Sequence, residues 1–427
     1  MLKSIREKLN SDMSRDVIWT FSIQILIMLC SFAINKLLAN RLSVDDFGQY
    51  NVIKRSVQVL SFIMLAGVSI ALPRYIPLYR SGQPPRRIAP LLMASIIYII
   101  GVSLAVCLIV MLFSARMQDI IIGQNDNQGL LFIALAYAFI LALSQYVLAY
   151  YRGTGNFRWY NGANLGIQLA CIVPLVLLPV LTTTNVFASW LIITLLFVGA
   201  YLGRELWNKR HSLSTPYASF RSSLRTIIKY SSGRMVADFF QFSLSAFPLV
   251  YISNTQGLQA TAYFSVGITF VSMITPFFSF MGIILLPYVS QAIARHEMAA
   301  ASRLISRLSL IYTATAIGII LVLGLFTEFL TRLLFASDYV VTVPLTRIMI
   351  LAILPQAAYM LYRNTVDEVS VIPFNAIILG LCIAAMTAGF MLSSSTAHYA
   401  YVYLSVSTLQ GILSWLIWRF LRKKAIK

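Results

Sequence analysis

The chain has 427 residues, of which 59% are hydrophobic and only 11% are charged, and its mean hydropathy is +0.79. Soluble globular chains are about 45–50% apolar and about 25% charged, so this composition excludes a soluble enzyme and predicts a membrane protein. The net charge of +19 does not indicate a nucleic-acid partner, because Lys and Arg in cytoplasmic loops orient membrane proteins.

Twelve runs of mostly apolar residues are long enough to cross a bilayer, which takes about 20 residues in a helix. In chain order they are 17–39, 52–77, 89–113, 129–151, 160–182, 185–203, 230–252, 261–290, 304–327, 342–362, 370–392 and 398–418. The sequence therefore predicts an all-α polytopic membrane protein of about twelve transmembrane helices.

The loop charges support this count. If the N-terminus is inside, the inside segments carry 24 Lys and Arg, and the outside loops carry only Arg41, Arg116 and Arg332. Such a bias is the positive-inside pattern, and the basic C-terminal tail requires an even number of spans. We therefore expect both termini to be cytoplasmic.

The two halves of the chain echo each other at an offset of about half its length. The matches are Gln145, Tyr151-Arg152 and Thr154 with Gln356, Tyr362-Arg363 and Thr365, Leu72-Pro73 with Leu286-Pro287, and Tyr50 with Tyr263. Several echoes in the same order predict a duplication into two six-helix lobes related by an axis along the membrane normal. The expected limits are 1–207 for the N-terminal lobe, 208–228 for a cytoplasmic linker, and 229–427 for the C-terminal lobe.

Apart from Arg307, which lies at the cytoplasmic start of its span and is counted with the inside charges, six basic residues fall inside predicted spans, where a cation costs about 2.5–3.5 kcal/mol on insertion scales. They are Lys36, Lys54, Arg55, Arg74, Arg234 and Arg347. Snorkelling to the membrane surface is a sufficient explanation for some of them, Lys54 and Arg74 above all. Arg347 is harder to explain in this way, because it lies in the middle of its apolar run.

The seventh span carries a polar stripe made of Arg234, Asp238, Gln241 and Ser245. At 100° per residue these four side chains fall within an arc of ~60°, so they must face protein or water rather than lipid. The first span repeats the spacing with Gln24, Met28, Ser31 and Asn35, and Lys36 lies beside that stripe.

Two interpretations of the seventh-span stripe stay open. A buried ion pair between Arg234 and Asp238 would simply hold helices together. However, six cations at membrane depth face a single carboxylate, Asp238, and such an excess favours a cavity for an anionic substrate. Arg also matches the geometry of phosphate oxygens.

Residues 37–75 resemble the beginning of bacterial polysaccharide repeat-unit flippases, the O-antigen and capsule flippases of the multidrug/oligosaccharidyl-lipid/polysaccharide exporter superfamily. The residues that carry the resemblance are Asp46-Phe47-Gly48 and Tyr50 after the first span, and Gly67 and Leu72-Pro73-Arg74 in the second. The length, the twelve predicted spans and the duplication extend it over the whole chain.

The resemblance implies a flippase for undecaprenyl-pyrophosphate-linked oligosaccharide in the bacterial inner membrane, working by alternating access through a cationic central cavity. It implies no catalysis and no cofactor. Membrane lipids, a glycan polymerase and a chain-length regulator are the other expected partners. By position, Lys36, Arg55, Arg234 and Asp238 correspond to residues that line the cavity in this family, although span eight carries no charge here.

Three further residues complete the predicted substrate site. Gln241 and Asn35 are included because they belong to the two polar stripes. Arg347 is included because a cation in lipid is costly and needs a functional reason.

Two other functions remain as alternatives. A cation-coupled drug exporter of the same superfamily would favour more membrane carboxylates than Asp238 alone. A glycan polymerase or ligase would need a sizeable outer loop, and the predicted outer loops are short. The sequence contains none of the phosphate-loop, zinc-protease or dinucleotide-binding motifs.

Overall fold

The computed structural model describes residues 12–81, 87–123, 127–209, 217–294, 298–370 and 373–426. Within these ranges the regular structure is entirely helical. The helices of the first part of the chain are α1 (Asp12–Arg41), α2 (Val44–Leu65), α3 (Val68–Ser81), α4 (Ala89–Leu112), α5 (Ser114–Ile122), α6 (Gln128–Gly153), α7 (Phe157–Leu177) and α8 (Thr183–Lys209). The remaining helices are α9 (Tyr217–Thr255), α10 (Leu258–Ala294), α11 (Met298–Leu334), α12 (Val343–Ile350), α13 (Ile353–Val369), α14 (Phe374–Met391) and α15 (Thr396–Ile426), with a short 3-10 helix at Ser337–Thr342 before α12.

In the described part of the chain, ten helical segments are long and apolar enough to cross a membrane, and a bent pair of helices brings the number to eleven. Each predicted span overlaps one helix or two consecutive helices, although the fifth, 160–182, extends past the end of α7 at Leu177, and the eleventh, 370–392, begins before α14 at Phe374. The seventh, 230–252, falls in α9, which is not among the ten. The prediction of an all-α, multi-pass membrane protein is confirmed, with ten or eleven described spans in place of about twelve.

The chain divides into two compact units, Met1–Phe239 and Phe240–Lys427. The division falls within α9. The predicted lobe limits, with a linker at 208–228, stay a prediction, and residues 210–216 of that linker lie outside the described ranges.

The second predicted span consists of two helices, α2 and α3. Ser43 caps α2, because its Oγ accepts a hydrogen bond from the backbone N–H of Asp46 at 3.1 Å. The helix ends at Ala66, which has a left-handed conformation with φ of 49°, and Gly67 follows with φ of 74°. Glycine adopts a positive φ without a steric penalty, so Gly67 lets the chain restart as α3 within the same span.

The tenth predicted span is also broken. The segments Ser337–Ile350 and Ile353–Arg363 meet at an angle of 42°. Pro355 has no N–H and therefore cannot donate to the carbonyl group of Leu351, four residues earlier, which is where the axis bends. On the neighbouring helix α15, Gly411 lies against this bend, and a Cβ at that position would be 2.8 Å from the Pro355 carbonyl oxygen.

Candidate functional site

The predicted site residues lie on four helices. Asn35 and Lys36 belong to α1, Arg55 to α2, Arg234, Asp238 and Gln241 to α9, and Arg347 to α12. The backbone of Arg234 and Asp238 is helical, but their side chains lie outside the described residues. The proposed pairing of these two side chains therefore stays a prediction.

The two site residues of α1 occupy different environments. Asn35 is buried, and its Nδ2 donates to the carbonyl oxygen of Ser31 at 2.7 Å. Its Oδ1 is also buried and has no hydrogen-bond partner among the described residues. Lys36, the next residue, is exposed. A buried, unsatisfied amide oxygen costs about 1–3 kcal/mol, so Asn35 is a polar group held in position without a protein donor.

Two of the cations predicted at membrane depth lie over aromatic rings. The Nζ of Lys54 is 5.4 Å from the centroid of the Tyr50 ring, and the guanidinium carbon of Arg74 is 4.6 Å from the centroid of Tyr230. Such contacts contribute about 0.5–2 kcal/mol each and reduce the cost of keeping the charge there. Arg55, the next residue after Lys54 on α2, is half-buried, as Lys54 is.

Arg347 does not lie in a continuous span. It belongs to the eight-residue helix α12, three residues before the end of that helix, and its side chain is exposed. The break that follows α12 separates Arg347 from α13, so the environment expected for the middle of a single long helix is absent at this position. Its role in substrate binding stays a prediction.

Gln241 and Gln356 make polar contacts with α15 in the C-terminal unit. The Oε1 of Gln241 accepts a hydrogen bond from Nε2 of Gln410 on α15 at 3.5 Å. Nearer the start of α15, the Tyr403 hydroxyl at 3.0 Å and the Ser407 hydroxyl at 3.4 Å accept hydrogen bonds from Nε2 of Gln356 on α13. In the sequence, Gln356 stands out only as the repeat of Gln145. The position of Gln356 within an apolar run is the signal that predicts a hydrogen bond to another helix.

Two arginines outside the predicted site bind backbone carbonyl groups. Arg41 donates from Nη1 to the carbonyl oxygen of Leu175 and from Nη2 to that of Leu178, both at 2.6 Å. These carbonyls lie at the end of α7, where a cation also interacts favourably with the helix dipole. Arg41 therefore anchors the end of α1 to the end of α7.

Arg152 has a related role on the predicted cytoplasmic side. Its Nη2 donates to the carbonyl oxygen of Ser69 at 2.6 Å. Pro73, four residues after Ser69, has no N–H and leaves that carbonyl without its helical partner. Gly153 permits the close approach, because a Cβ at that position would be 2.9 Å from the Leu72 carbonyl oxygen.

The motif that carried the family resemblance serves packing and capping. Phe47 and Tyr50 are fully buried, and the Tyr50 ring contacts Phe187 at 5.8 Å and Trp190 at 5.9 Å between centroids. Asp46 accepts a hydrogen bond from the Thr183 hydroxyl at the start of α8. These residues connect α2 to α8 within the N-terminal unit.

Among the described residues, no group of three or more His, Cys, Asp or Glu side chains could hold a metal ion. On the described part of the site, Lys36 presents an exposed ammonium group, the Arg55 guanidinium is half-buried, and the Asn35 amide oxygen is buried. Cations combined with a hydrogen-bond acceptor suit an anionic ligand that also carries hydroxyl groups.

The fold is similar to that of several solved transporters. The lipid II flippase MurJ in an inward closed conformation matches with a TM-score of 0.70 and 12% identity, over 96% of this chain and 88% of that one. An inward-facing multidrug resistance transporter of the MATE family, in the MOP superfamily, matches with a TM-score of 0.69 and 12% identity, over 96% of this chain and 98% of that one. A MOP superfamily transporter from Pyrococcus furiosus matches with a TM-score of 0.61 and 13% identity, over 97% and 95% of the two chains.

At these identities the likeness establishes the fold of MOP transporters. No curated protein sequence matches the chain significantly. The family model described as polysaccharide biosynthesis protein matches residues 13–293, well over half of the sequence. The chain therefore belongs to the polysaccharide biosynthesis protein family.

Proposed function

We propose that this protein flips undecaprenyl-pyrophosphate-linked oligosaccharide repeat units across the bacterial inner membrane for O-antigen or capsule synthesis. The observation that carries the proposal is the match to the polysaccharide biosynthesis family in a chain with a transporter fold. Apart from Arg307 at a span end, the predicted spans of this chain carry six cations but only one carboxylate. A diphosphate is the part of such a substrate that cations recognise. In this proposal the protein has no catalytic role.

The proposed path keeps the prenyl tail in lipid while the diphosphate and sugars pass through a cavity lined by basic residues. Lys36, Arg55, Arg234 and Arg347 supply the positive charge. Asn35, Gln241 and Asp238 supply polar contacts for hydroxyl groups. Alternating access of the two lobes then exposes the cargo on the outer side, where a glycan polymerase and its chain-length regulator act on it.

The test replaces Arg234 by Ala in a strain whose chromosomal copy is deleted. We expect surface glycan to fall at least about tenfold, because losing one charge-assisted contact costs about 1.5–3 kcal/mol. Single lipid-linked repeat units should accumulate inside the cell while the amount of protein in the membrane stays constant. Surface glycan is measured by immunoblotting, and the lipid-linked units by mass spectrometry of extracted lipids.

Arg116→Ala is the matched control. Arg116 is an exposed arginine on α5, outside the predicted spans, and its replacement should leave glycan export unchanged. Normal export by both Arg234→Ala and Arg347→Ala would contradict the cationic-cavity mechanism.

A cation-coupled drug exporter is the second candidate, supported by the structural likeness to the MATE transporter. In that case the deletion strain would become sensitive to cationic dyes and would retain its surface glycan. The same strain therefore separates the two functions.

A further inference from the structure

A cleft in the N-terminal unit lies between the beginning of α4 and the ends of α6 and α8. It opens to the surface, and its enclosed volume is about 70 Å³. Its walls are almost wholly apolar, with Leu92 and Met93 from α4, Tyr146 and Tyr150 from α6, and Tyr201 and Glu205 from α8. This cleft contains none of the residues predicted for the substrate site.

Glu205 is the unusual member of this cleft. It is the only acidic residue between Asp126 and Asp238 in the sequence. It lies four residues before the end of α8, where a carboxylate meets the negative end of the helix dipole. The apolar walls of the cleft offer the carboxylate little solvation. The Tyr150 hydroxyl donates to Oε2 of Glu205 at 2.9 Å, which holds the carboxylate in position.

The chemistry of the cleft matches an ammonium group. A carboxylate presents about four lone-pair sites, so it can accept from several donors besides Tyr150. Tyrosine rings attract cations to their faces. Tyr146, which is buried, donates its hydroxyl to the Leu92 carbonyl oxygen at 3.3 Å and so contributes mainly its ring to the cleft.

The position of the cleft indicates a lipid as the source of that ammonium group. Ala89, Gly153 and Glu205 are terminal residues of three candidate membrane spans, so the cleft lies at one membrane surface, on the predicted cytoplasmic side. Arg204, next to Glu205, is exposed and its guanidinium carbon is 4.1 Å from the centroid of the Trp159 ring. A cation at this level suits the phosphate of a headgroup.

We propose that this cleft binds a phospholipid with a primary ammonium headgroup, such as phosphatidylethanolamine, from the cytoplasmic leaflet. Glu205 accepts hydrogen bonds from the ammonium group, Arg204 contacts the phosphate, and an acyl chain lies along Leu92 and Met93. The site is independent of the proposed transport path.

The experiment is native mass spectrometry of the purified full chain in detergent with equal amounts of phosphatidylethanolamine, phosphatidylglycerol and phosphatidylcholine. We expect phosphatidylethanolamine adducts to dominate on the wild type. Glu205→Gln should reduce them about tenfold, to the level of phosphatidylcholine, because an amide cannot provide a charged acceptor. Equal binding of phosphatidylcholine and phosphatidylethanolamine by the wild type would overturn the role of the carboxylate.

Glu328→Gln is the matched control. Glu328 is an exposed carboxylate on α11 in an ion pair with Arg332 at 2.9 Å, and its replacement should leave the adducts unchanged. If Glu205→Gln does not yield a monodisperse protein, Met93→Trp fills the cleft while keeping the carboxylate, and it should also remove the adducts. Wild-type levels of phosphatidylethanolamine on whichever of these two variants folds would overturn the proposal.

Discussion

The predicted duplication pairs span two with span eight and span four with span ten, and in each pair one helix is broken and the other is continuous. In the first pair, α2 ends at Ala66 and α3 restarts after Gly67, whereas α10 runs without a break from Leu258 to Ala294. In the second pair, α6 is continuous and the counterpart is bent by 42°.

Local residues explain this difference. At the offset of the repeat, the counterpart of Gly67 is Phe280 or Met281, neither of which favours a positive φ. The counterpart of Pro355 is Ser144, which keeps its N–H and allows α6 to continue. The predicted duplication therefore does not determine where a helix bends, because Gly67 and Pro355, the residues at the two breaks, are not repeated in the other half.

Replacing Gly411 tests the packing at the bend of span ten. Gly411→Ala should lower the free energy of unfolding by about 1–3 kcal/mol, because the new Cβ would be 2.8 Å from the Pro355 carbonyl oxygen and the backbone must move. Gly324→Ala in α11 is the control, since a Cβ there meets nothing within 4 Å. The apparent melting temperature in detergent measures both, and equal values would show that the bend is not closely packed.

The next prediction concerns the contact that supports span two. Arg152→Ala should lower the free energy of unfolding by about 1–3 kcal/mol, because it leaves the Ser69 carbonyl group without a donor. In a Pro73→Ala background the restored N–H supplies that donor, so Arg152→Ala should cost much less. A double-mutant cycle on thermal unfolding measures the coupling, and additive effects would contradict our account.

The same cycle can be extended to the second half. Arg363 and Pro287 match Arg152 and Pro73 in the repeat. If the halves share this contact, Arg363→Ala should depend on Pro287 in the same way. A strong coupling in the first half with none in the second would show that the two lobes have diverged here as well.

The smallest expected effect concerns the start of α2. Ser43→Ala should destabilise the protein by about 1 kcal/mol, because the N–H of Asp46 loses its acceptor. Ser43→Asp keeps an oxygen in the same place and should be close to neutral. If the two variants have the same melting temperature, the hydrogen bond seen at this cap does not contribute to stability.

Part of the candidate site was predictable and part was not. Charge scarcity identified Lys36, Arg55 and Arg347 as residues that need an explanation, because a cation is costly in lipid wherever the chain folds. The cost of a cation in lipid also identified Lys54 and Arg74 as residues that need an explanation. Only the structure shows that their contacts with the aromatic rings of Tyr50 and Tyr230 stabilise both.

The helical class, the approximate limits of the spans and the expected orientation follow from the order of residues along the chain. These depend on the length of apolar runs and on loop charge, which are local properties of the chain. Tertiary structure decided which polar groups meet. Arg152 and Ser69 are 83 residues apart, and Tyr150 and Glu205 are 55 apart, so only the packing of helices brings these partners within hydrogen-bonding distance.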